Sequence, residues 1–177
     1  MTLSSKQFLG LLGIGGLAYA VLRGVPRTLT AQEFFQPQTV SDIAASFPSG
    51  EDEFILAAWR FVGGLQYEAI GSVFTVEGQR IDCSQCYLPL ETLGRNQGNC
   101  VAKASLLSSI LLNRLPPERV YIAIGDLDYQ GSVGGHAWVL VQRQGTWYVL
   151  ESTSPPKAQP WIAASSVSQR YIPYVLL

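Results

Sequence analysis

The sequence predicts an α+β fold in which helices come first and an antiparallel sheet follows. Apolar residues recur at helical spacing in two segments before residue 116, and alternating, β-rich segments lie after it. No β–α–β alternation is present, so a parallel sheet is not expected. The short polar turn between two of the alternating segments is typical of an antiparallel hairpin.

Size and composition restrict the classes of function. A chain of 177 residues has room for one domain and a short appendage. With 47% hydrophobic and 14% charged residues it is not a disordered chain, and a net charge of −1 without a basic run argues against a nucleic-acid partner. A closed zinc site would need nearly all of its three cysteines and one histidine, so we expect neither metal nor cofactor.

Residues 1–24 form a hydrophobic N-terminal segment. The uncharged stretch at residues 8–22 follows Lys6 and precedes Arg23. It fits a membrane anchor slightly below the usual length, a cleaved secretory signal, or a buried helix. We expect contact with a membrane through residues 8–22, as anchor or signal, and hence a membrane-associated or exported protein. The flanking positive charges nearly balance, so the side of the membrane is undetermined.

The next segments set the expected domain boundaries. Residues 25–39 contain Pro26 and Pro37 without apolar periodicity and are predicted to be a linker, so the folded domain spans residues 40–177. A first helix is expected at residues 51–67, followed by a loop-rich stretch at 71–97. In that stretch Cys83 and Cys86 form a C-x-x-C pattern with three possible interpretations. It is half of a zinc motif that has no second half in the sequence, a disulfide if the domain is exported, or a pair of thiols without a special role.

The second half of the domain is expected to hold its core. Residues 99–115 are apolar nearly all round, which predicts a central helix. A strand at 119–125, a polar loop at 126–135 and a hairpin at 136–152 follow. The last strand is expected at 170–177, at a sheet edge because Pro173 cannot donate a backbone hydrogen bond.

Cys100 is the candidate nucleophile. It falls where the central helix begins, and a helix N-terminus favours the thiolate, which is the nucleophilic form of a cysteine. Unpaired backbone N–H groups there also suit the oxyanion of a tetrahedral intermediate. Taken alone, a cysteine on an apolar helix is more often a small hydrophobic residue.

His136 and Glu151 lie on the two strands of the predicted hairpin. If Gln144 and Gly145 form a two-residue turn, paired residue numbers sum to 289, and Glu151 is the diagonal neighbour of His136 on the same face. If the sum is 287, the two residues face each other directly. In either register a glutamate reaches the imidazole, fixes its tautomer and stabilises the imidazolium. A nucleophile, a base and an orienting acid form the arrangement of an activated cysteine.

Three motifs in the sequence resemble the transglutaminase-like superfamily. GNCVAKASLLSSILLNRL is similar to the segment that carries its nucleophilic cysteine, and GGHAWVLVQRQGTWYVLEST is similar to its His strand, turn and acidic strand. AAWRFVGGLQY, residues 57–67, resembles the helix and tyrosine that precede this core. The resemblance covers residues 51–155. It departs from the family at Glu151, where Asp is normal, and at Ser152, where Pro is common.

The resemblance implies a papain-like fold and a cysteine acyl-transfer enzyme that acts on peptide or carboxamide bonds. By resemblance, Cys100 is the nucleophile, His136 the base and Glu151 the residue that orients it. Gln97 and Gln66 are candidate oxyanion residues, and Trp138 is a candidate for the wall of the site. The acyl group passes either to water or to an amine, and hydrolysis is favoured because a small domain does not easily exclude water.

The alternative is a catalytically inactive domain of the same fold that serves as a membrane-anchored binding or structural module. The change from Asp to Glu151 motivates this alternative. The two hypotheses differ in whether Cys100 is reactive and whether that reactivity depends on His136.

Overall fold

The computed structural model describes residues 27–69, 74–77, 80–83, 86–153 and 160–177. Within these ranges the chain forms short N-terminal elements, then helices, then most of its strands. The helices are α1 (Ala31–Phe34), α2 (Ser41–Ala45), α3 (Glu51–Gly63), α4 (Pro89–Arg95) and α5 (Cys100–Leu111). The strands are β1 (Arg27–Thr30), β2 (Gln66–Tyr67), β3 (Phe74–Glu77), β4 (Arg80–Cys83), β5 (Gln97–Gly98), β6 (Val120–Tyr129), β7 (Ser132–Arg143), β8 (Thr146–Leu150), β9 (Ile162–Ala163) and β10 (Tyr171–Leu176).

A five-stranded antiparallel sheet supports the site. Its strand order is β10-β6-β7-β8-β9, so the two longest strands, β6 and β7, lie near the middle. The last strand is at the edge, where Pro173 is tolerated, as the sequence predicts. The α+β class with an antiparallel sheet is confirmed. Two small sheets, β1-β4-β3 and β2-β5, complete the strand pairing among the described residues.

The central helix α5 packs on one face of this sheet. All twelve of its residues are buried, which agrees with a sequence that is apolar nearly all round. The alternation of β7 directs Ala137, Val139 and Val141 into the same core as the helix. Helix α5 also contacts α3, so it is packed between the sheet and α3.

Helix α3 has one buried face and an acidic first turn. Its buried residues recur at helical spacing: Phe54, Ile55, Ala58, Trp59 and Val62. Arg119 bonds Glu51 through both terminal nitrogens, and Arg143 pairs with Asp52, so the start of α3 is tied to the sheet. The helix begins at Glu51 as predicted but ends at Gly63, and Gln66–Tyr67 is a strand.

The expected linker at residues 25–39 needs correction. Arg27–Thr30 is a strand paired with β4, and Ala31–Phe34 is a short helix. Phe34 is fully buried, and its carbonyl accepts a hydrogen bond from Ser105 Oγ at 2.6 Å. The elements in this segment are each about four residues long, too short to produce a periodicity that can be recognised in the sequence.

Two expected loops also contain regular structure. The stretch at 71–97 includes the β3–β4 hairpin, helix α4 and strand β5. The expected polar loop at 126–135 is the outer half of the β6–β7 hairpin, which turns at Gln130 and Gly131, both with positive φ. Polar residues are compatible with strands there because this end of the hairpin is largely exposed.

The predicted hydrophobic helix at residues 8–22 lies outside the described residues. Among the residues that are described, no helix is long and apolar enough to cross a bilayer.

Gly125 permits the close approach of β10 to β6. A Cβ at this position would lie 2.0 Å from the Ile172 carbonyl oxygen and 2.8 Å from Pro173 Cα, both backbone atoms. We expect Gly125→Ala to lower the free energy of unfolding by about 1–3 kcal/mol, since the strand has to move. Urea unfolding followed by tryptophan fluorescence measures this change.

Gly94→Ala provides the matched control for Gly125→Ala. Gly94 lies in α4, and no described atom is within 4 Å of a methyl carbon added there. Alanine is favoured over glycine in a helix, so the control should be neutral or more stable. Equal stability of the two variants would contradict the role assigned to Gly125.

Candidate functional site

The local sequence before α5 explains why Cys100 begins the helix. Asn99 has extended backbone angles, and its side-chain oxygen accepts a hydrogen bond from Ala102 N at 3.0 Å, so it is the N-cap. Cys100 is therefore the first helical residue, with its side chain at the positive end of the helix dipole. It is a free cysteine and is buried.

Gly98 allows strand β5 to approach the helices closely. A Cβ there would lie 3.0 Å from Ala102 Cβ and 3.2 Å from Thr92 Cγ2. Because Gly98 has no side chain, the segment before Cys100 can pack closely against α4 and α5.

The β7–β8 hairpin brings His136 and Glu151 together. The turn has two residues, Gln144 and Gly145, and Arg143 pairs with Thr146, so the register sums to 289. Glu151 follows the end of β8 and is the diagonal neighbour of His136. Its Oε2 lies 2.7 Å from His136 Nε2. Cys100 is close enough to the imidazole to contribute to the rise of the His136 pKa, so the structure brings the three residues together.

The Glu151 carboxylate is held by three residues. Besides the contact with His136, its Oε1 accepts hydrogen bonds from the Thr153 amide at 2.9 Å and the Thr153 hydroxyl at 2.6 Å, and its Oε2 accepts a bond from Tyr171 Oη at 3.3 Å. Burial alone would raise the pKa of Glu151, but the hydrogen bond and charge of His136, together with Thr153, lower it. The group is therefore a carboxylate at neutral pH.

The same contacts keep the histidine protonated. Burial alone would lower the pKa of His136, but hydrogen bonds with Cys100 and Glu151 and the negative charge of Glu151 raise it to about 9. His136 is thus an imidazolium near pH 7, placed between a buried carboxylate and a thiol.

Aromatic residues pack beneath the imidazole. Trp138 stacks on His136 with ring centroids 6.1 Å apart, and Tyr171 packs edge-on against Trp138 at 5.2 Å. Trp138 is only 1% exposed, so it supports His136 from below and offers almost no surface to a ligand. The Trp59 indole donates to the Glu151 carbonyl at 2.9 Å and fixes the backbone of the acid.

Strands β2 and β5 bring Gln66 and Gln97 side by side. They are paired in the parallel register Gln66↔Gln97, and Gln97 lies two residues before Asn99 and three before Cys100. Backbone bonds from Gln66 to Asn96 at 3.2 Å and from Glu68 to Gly98 at 3.1 Å hold the two strands together. An oxyanion role for either glutamine stays a prediction.

Tyr67 was not recognised as a site residue from the sequence. It is 46% exposed, and burial first, then the charges of Cys100 and Glu151, raise the pKa of its phenol. It therefore stays a neutral O–H donor within electrostatic reach of both groups. Only the resemblance of residues 57–67 drew attention to this position in the sequence.

Lys103 is a second residue that the sequence did not reveal. It lies one turn after Cys100, is fully buried, and donates from Nζ to the carbonyls of Leu65 at 3.0 Å and Gly63 at 3.4 Å. It thereby ties the end of α3, and the strand that carries Tyr67, to the helix of Cys100. Burial lowers the pKa of Lys103 to about 8, opposed by the charge of Glu151.

The other two cysteines are only partly described. Cys86 is buried and disulfide-bonded, whereas the Cys83 side chain is outside what the structure describes. Over the described ranges no group of three or more His, Cys, Asp or Glu side chains is placed to hold a metal ion.

The fold and the site together define a class of protein. A helix that begins with a buried cysteine packs on an antiparallel sheet that presents a histidine and an acid, which is the papain-like core. The chain belongs to the transglutaminase-like family, because a family model described as a transglutaminase-like domain matches residues 43–173. A search of curated proteins found no match.

Solved structures share the fold at low sequence identity. A protein from Cytophaga hutchinsonii named as a proposed cysteine protease matches with a TM-score of 0.50 and 14% identity over 74% of this chain and 42% of its own. The chain therefore spans less than half of that protein. Calcium-bound LapG from Legionella pneumophila matches with a TM-score of 0.46 and 13% identity over 81% of this chain and 84% of its own.

The single histidine of the chain makes its titration directly measurable. We expect an NMR pKa of about 9 for His136 in the wild type. Glu151→Gln removes the carboxylate charge and should lower that pKa by about 1–3 pH units. Glu151→Asp keeps the charge at a longer distance and should give an intermediate value. An unchanged pKa in Glu151→Gln would contradict the assigned cause.

The same titration predicts a stability profile. The folded-state pKa of about 9 lies above the ordinary value of 6.5, so protonated His136 stabilises the fold fully below pH 6.5. This contribution is lost as the pH rises through about 9. Relative to Glu151→Gln, the free energy of unfolding of the wild type should fall between these two pH values, as urea unfolding will show.

Lys103 has the opposite effect on stability. Its folded-state pKa of about 8 lies below the ordinary 10.5, so the unfolded chain binds the proton more tightly between these values. The difference in unfolding free energy between wild type and Lys103→Met should therefore increase as the pH rises from 8 to 10.5. Parallel curves for the two proteins would show that Lys103 is not the group responsible.

Proposed function

We propose that this chain is a cysteine-nucleophile acyl-transfer enzyme that acts on peptide or carboxamide bonds of a peptide or protein substrate. The observation that carries the proposal is the buried contact of 2.7 Å between His136 Nε2 and Glu151 Oε2, beside a buried free Cys100 at the start of α5 that contributes to the His136 pKa. A nucleophile, a base within hydrogen-bond reach and a third group that orients the base are the parts that this chemistry needs.

In the first step the Cys100 thiolate attacks the substrate carbonyl carbon. A C–S bond forms, and the π electrons of the carbonyl move to its oxygen. The Cys100 amide lies in the first turn of α5, where no intrahelical acceptor is available, and it is a candidate donor for this oxyanion. Gln66, Gln97 and Tyr67 are the side chains that could add a second donor.

The intermediate then loses its amine. The His136 imidazolium donates its proton to the leaving nitrogen as the C–N bond breaks, which leaves a thioester on Cys100. The neutral imidazole next takes a proton from water, whose oxygen attacks the thioester carbon, and the C–S bond breaks. The products are an amine and a carboxylic acid, and the thiolate–imidazolium pair is restored.

Glu151 stays ionised through both steps. Its contacts with Thr153 and Tyr171 hold the carboxylate in place while His136 gives up and regains a proton. The extra methylene relative to Asp suits the diagonal register, in which the two strands do not place the acid directly opposite the histidine. Transfer to an amine in place of water follows the same steps, with the amine as the second nucleophile.

The first test is the reactivity of Cys100 towards iodoacetamide. We expect the full chain to be alkylated at Cys100 at pH 6.5, where an ordinary thiol with a pKa near 8.5 is about 99% protonated. His136→Ala should reduce the rate at this pH by at least about tenfold, because the imidazolium partner is gone. Peptide mass spectrometry identifies the labelled cysteine.

A matched control separates reactivity from damage to the fold. Tyr171→Phe removes one hydrogen bond to Glu151 but leaves His136 in place, so it should retain most of the reactivity. If Cys100 in the wild type is inert at pH 6.5 and reacts only as an ordinary thiol does, at a pH above about 8.5, the enzyme proposal fails. The inactive binding module would then be the better account.

A further inference from the structure

Lys103 is the only charged residue of α5, and the packing of the helix does not explain it. The side chain is fully buried and forms no ion pair with a carboxylate in the described part of the chain. Burial lowers the pKa of Lys103 to about 8, opposed by the charge of Glu151. An apolar residue of similar length would fill the same space without the cost of burying a charge. The use of this lysine therefore has to lie in what its ammonium group bonds.

The Lys103 ammonium group caps the C-terminal end of α3. It donates to the Leu65 carbonyl at 3.0 Å and to the Gly63 carbonyl at 3.4 Å. Gly63 is the last residue of α3, so its carbonyl accepts no hydrogen bond from within the helix. The helix dipole also favours a cation at this end. Lys103 thus fixes the point at which the chain leaves α3 and enters β2.

The stem of the Lys103 side chain runs alongside β5 before it reaches this point. A Cβ built on Gly98 would lie 3.6 Å from Lys103 Cγ, which is ordinary van der Waals distance. Gly98 lies two residues before Cys100 and pairs with Tyr67 of β2. One side chain therefore packs along β5 and bonds the start of β2, so it supports both strands of this small sheet.

Strand β2 needs such a support because it is very short. Its two residues are joined to β5 by backbone bonds from the amides of Gln66 and Glu68, at 3.2 and 3.1 Å. A two-stranded sheet of this kind is at best marginally stable by itself. Lys103 lies three residues after Cys100 on the same helix. It therefore sets the start of β2 relative to the sulfur through a single rigid helical turn.

We propose that Lys103 is a positioning residue for acyl transfer, which holds β2 against the start of α5 so that Gln66 and Tyr67 stay beside the oxyanion. The inference rests on the proposed function and adds a residue that acts through β2, without a bond to the substrate. It makes a specific demand on the chemistry. Reactions of Cys100 that form an oxyanion depend on Lys103, whereas a reaction of the same sulfur that forms none does not.

The test compares two reagents that react with Cys100. With p-nitrophenyl acetate the thiolate attacks the acetyl carbonyl, an oxyanion forms, and nitrophenolate leaves as the C–O bond breaks, so that an acetyl thioester remains. With iodoacetamide the thiolate displaces iodide and no oxyanion forms. Rates measured with Cys100→Ala are subtracted as background. The ratio of the acylation rate to the alkylation rate cancels any change in the thiolate fraction.

We expect Lys103→Met to lower this ratio by at least about tenfold, because a small displacement of a donor removes much of its effect on the transition state. Lys103→Arg keeps a cation with N–H donors and should give a ratio within about threefold of wild type. Ser105→Ala is the matched control on the same helix. Ser105 is fully buried and donates from Oγ to the Phe34 carbonyl at 2.6 Å, so this variant loses a bond from α5 to α1 and should keep the wild-type ratio.

The outcomes separate positioning from stability. An unchanged ratio in Lys103→Met, or an equal fall in Ser105→Ala, would overturn the positioning role. Loss of the native tryptophan fluorescence in Lys103→Met would assign Lys103 to the stability of the fold alone and would also overturn it. Failure of iodoacetamide to label Cys100 of the wild type at pH 6.5 would instead overturn the proposed function itself.

Discussion

The contact between His136 and Glu151 is the interaction on which the rest of the site depends. It joins two strands at a diagonal, so it depends on a register of the β7–β8 hairpin that keeps both residues on one face. A slip of one residue would move Glu151 to the other face of the sheet. The two-residue turn at Gln144 and Gly145, with positive φ at both, fixes that register.

Burying this pair imposes demands on the surrounding structure. A buried carboxylate is costly unless its oxygens are hydrogen-bonded. Here Thr153 donates to Oε1 of Glu151, and Tyr171 donates to Oε2, the oxygen that also contacts His136. Tyr171 comes from β10, the last strand, so the C-terminal segment is part of the same network. The absence of a side chain at Gly125 lets that strand approach β6 closely enough.

Lys103 adds a third buried charge close to the first two. It has backbone carbonyls as partners, and its position one turn after Cys100 places a cation below the site. Because Lys103 bonds the carbonyls of Gly63 and Leu65, it connects the turn between α3 and β2 to α5. The strand that presents Gln66 and Tyr67 is therefore positioned by a side chain from the nucleophile's own helix.

The sequence by itself determined the α+β class, the start of α3, the central helix, the shared face of His136 and Glu151 on the hairpin, and Pro173 at a sheet edge. These follow from local periodicity, capping and turn chemistry, all of which act over a few residues. Only the tertiary structure decided the roles of Phe34, Trp59, Tyr67, Lys103 and Tyr171. Each depends on contacts between segments far apart in the chain, and side-chain periodicity carries no information about which segments meet.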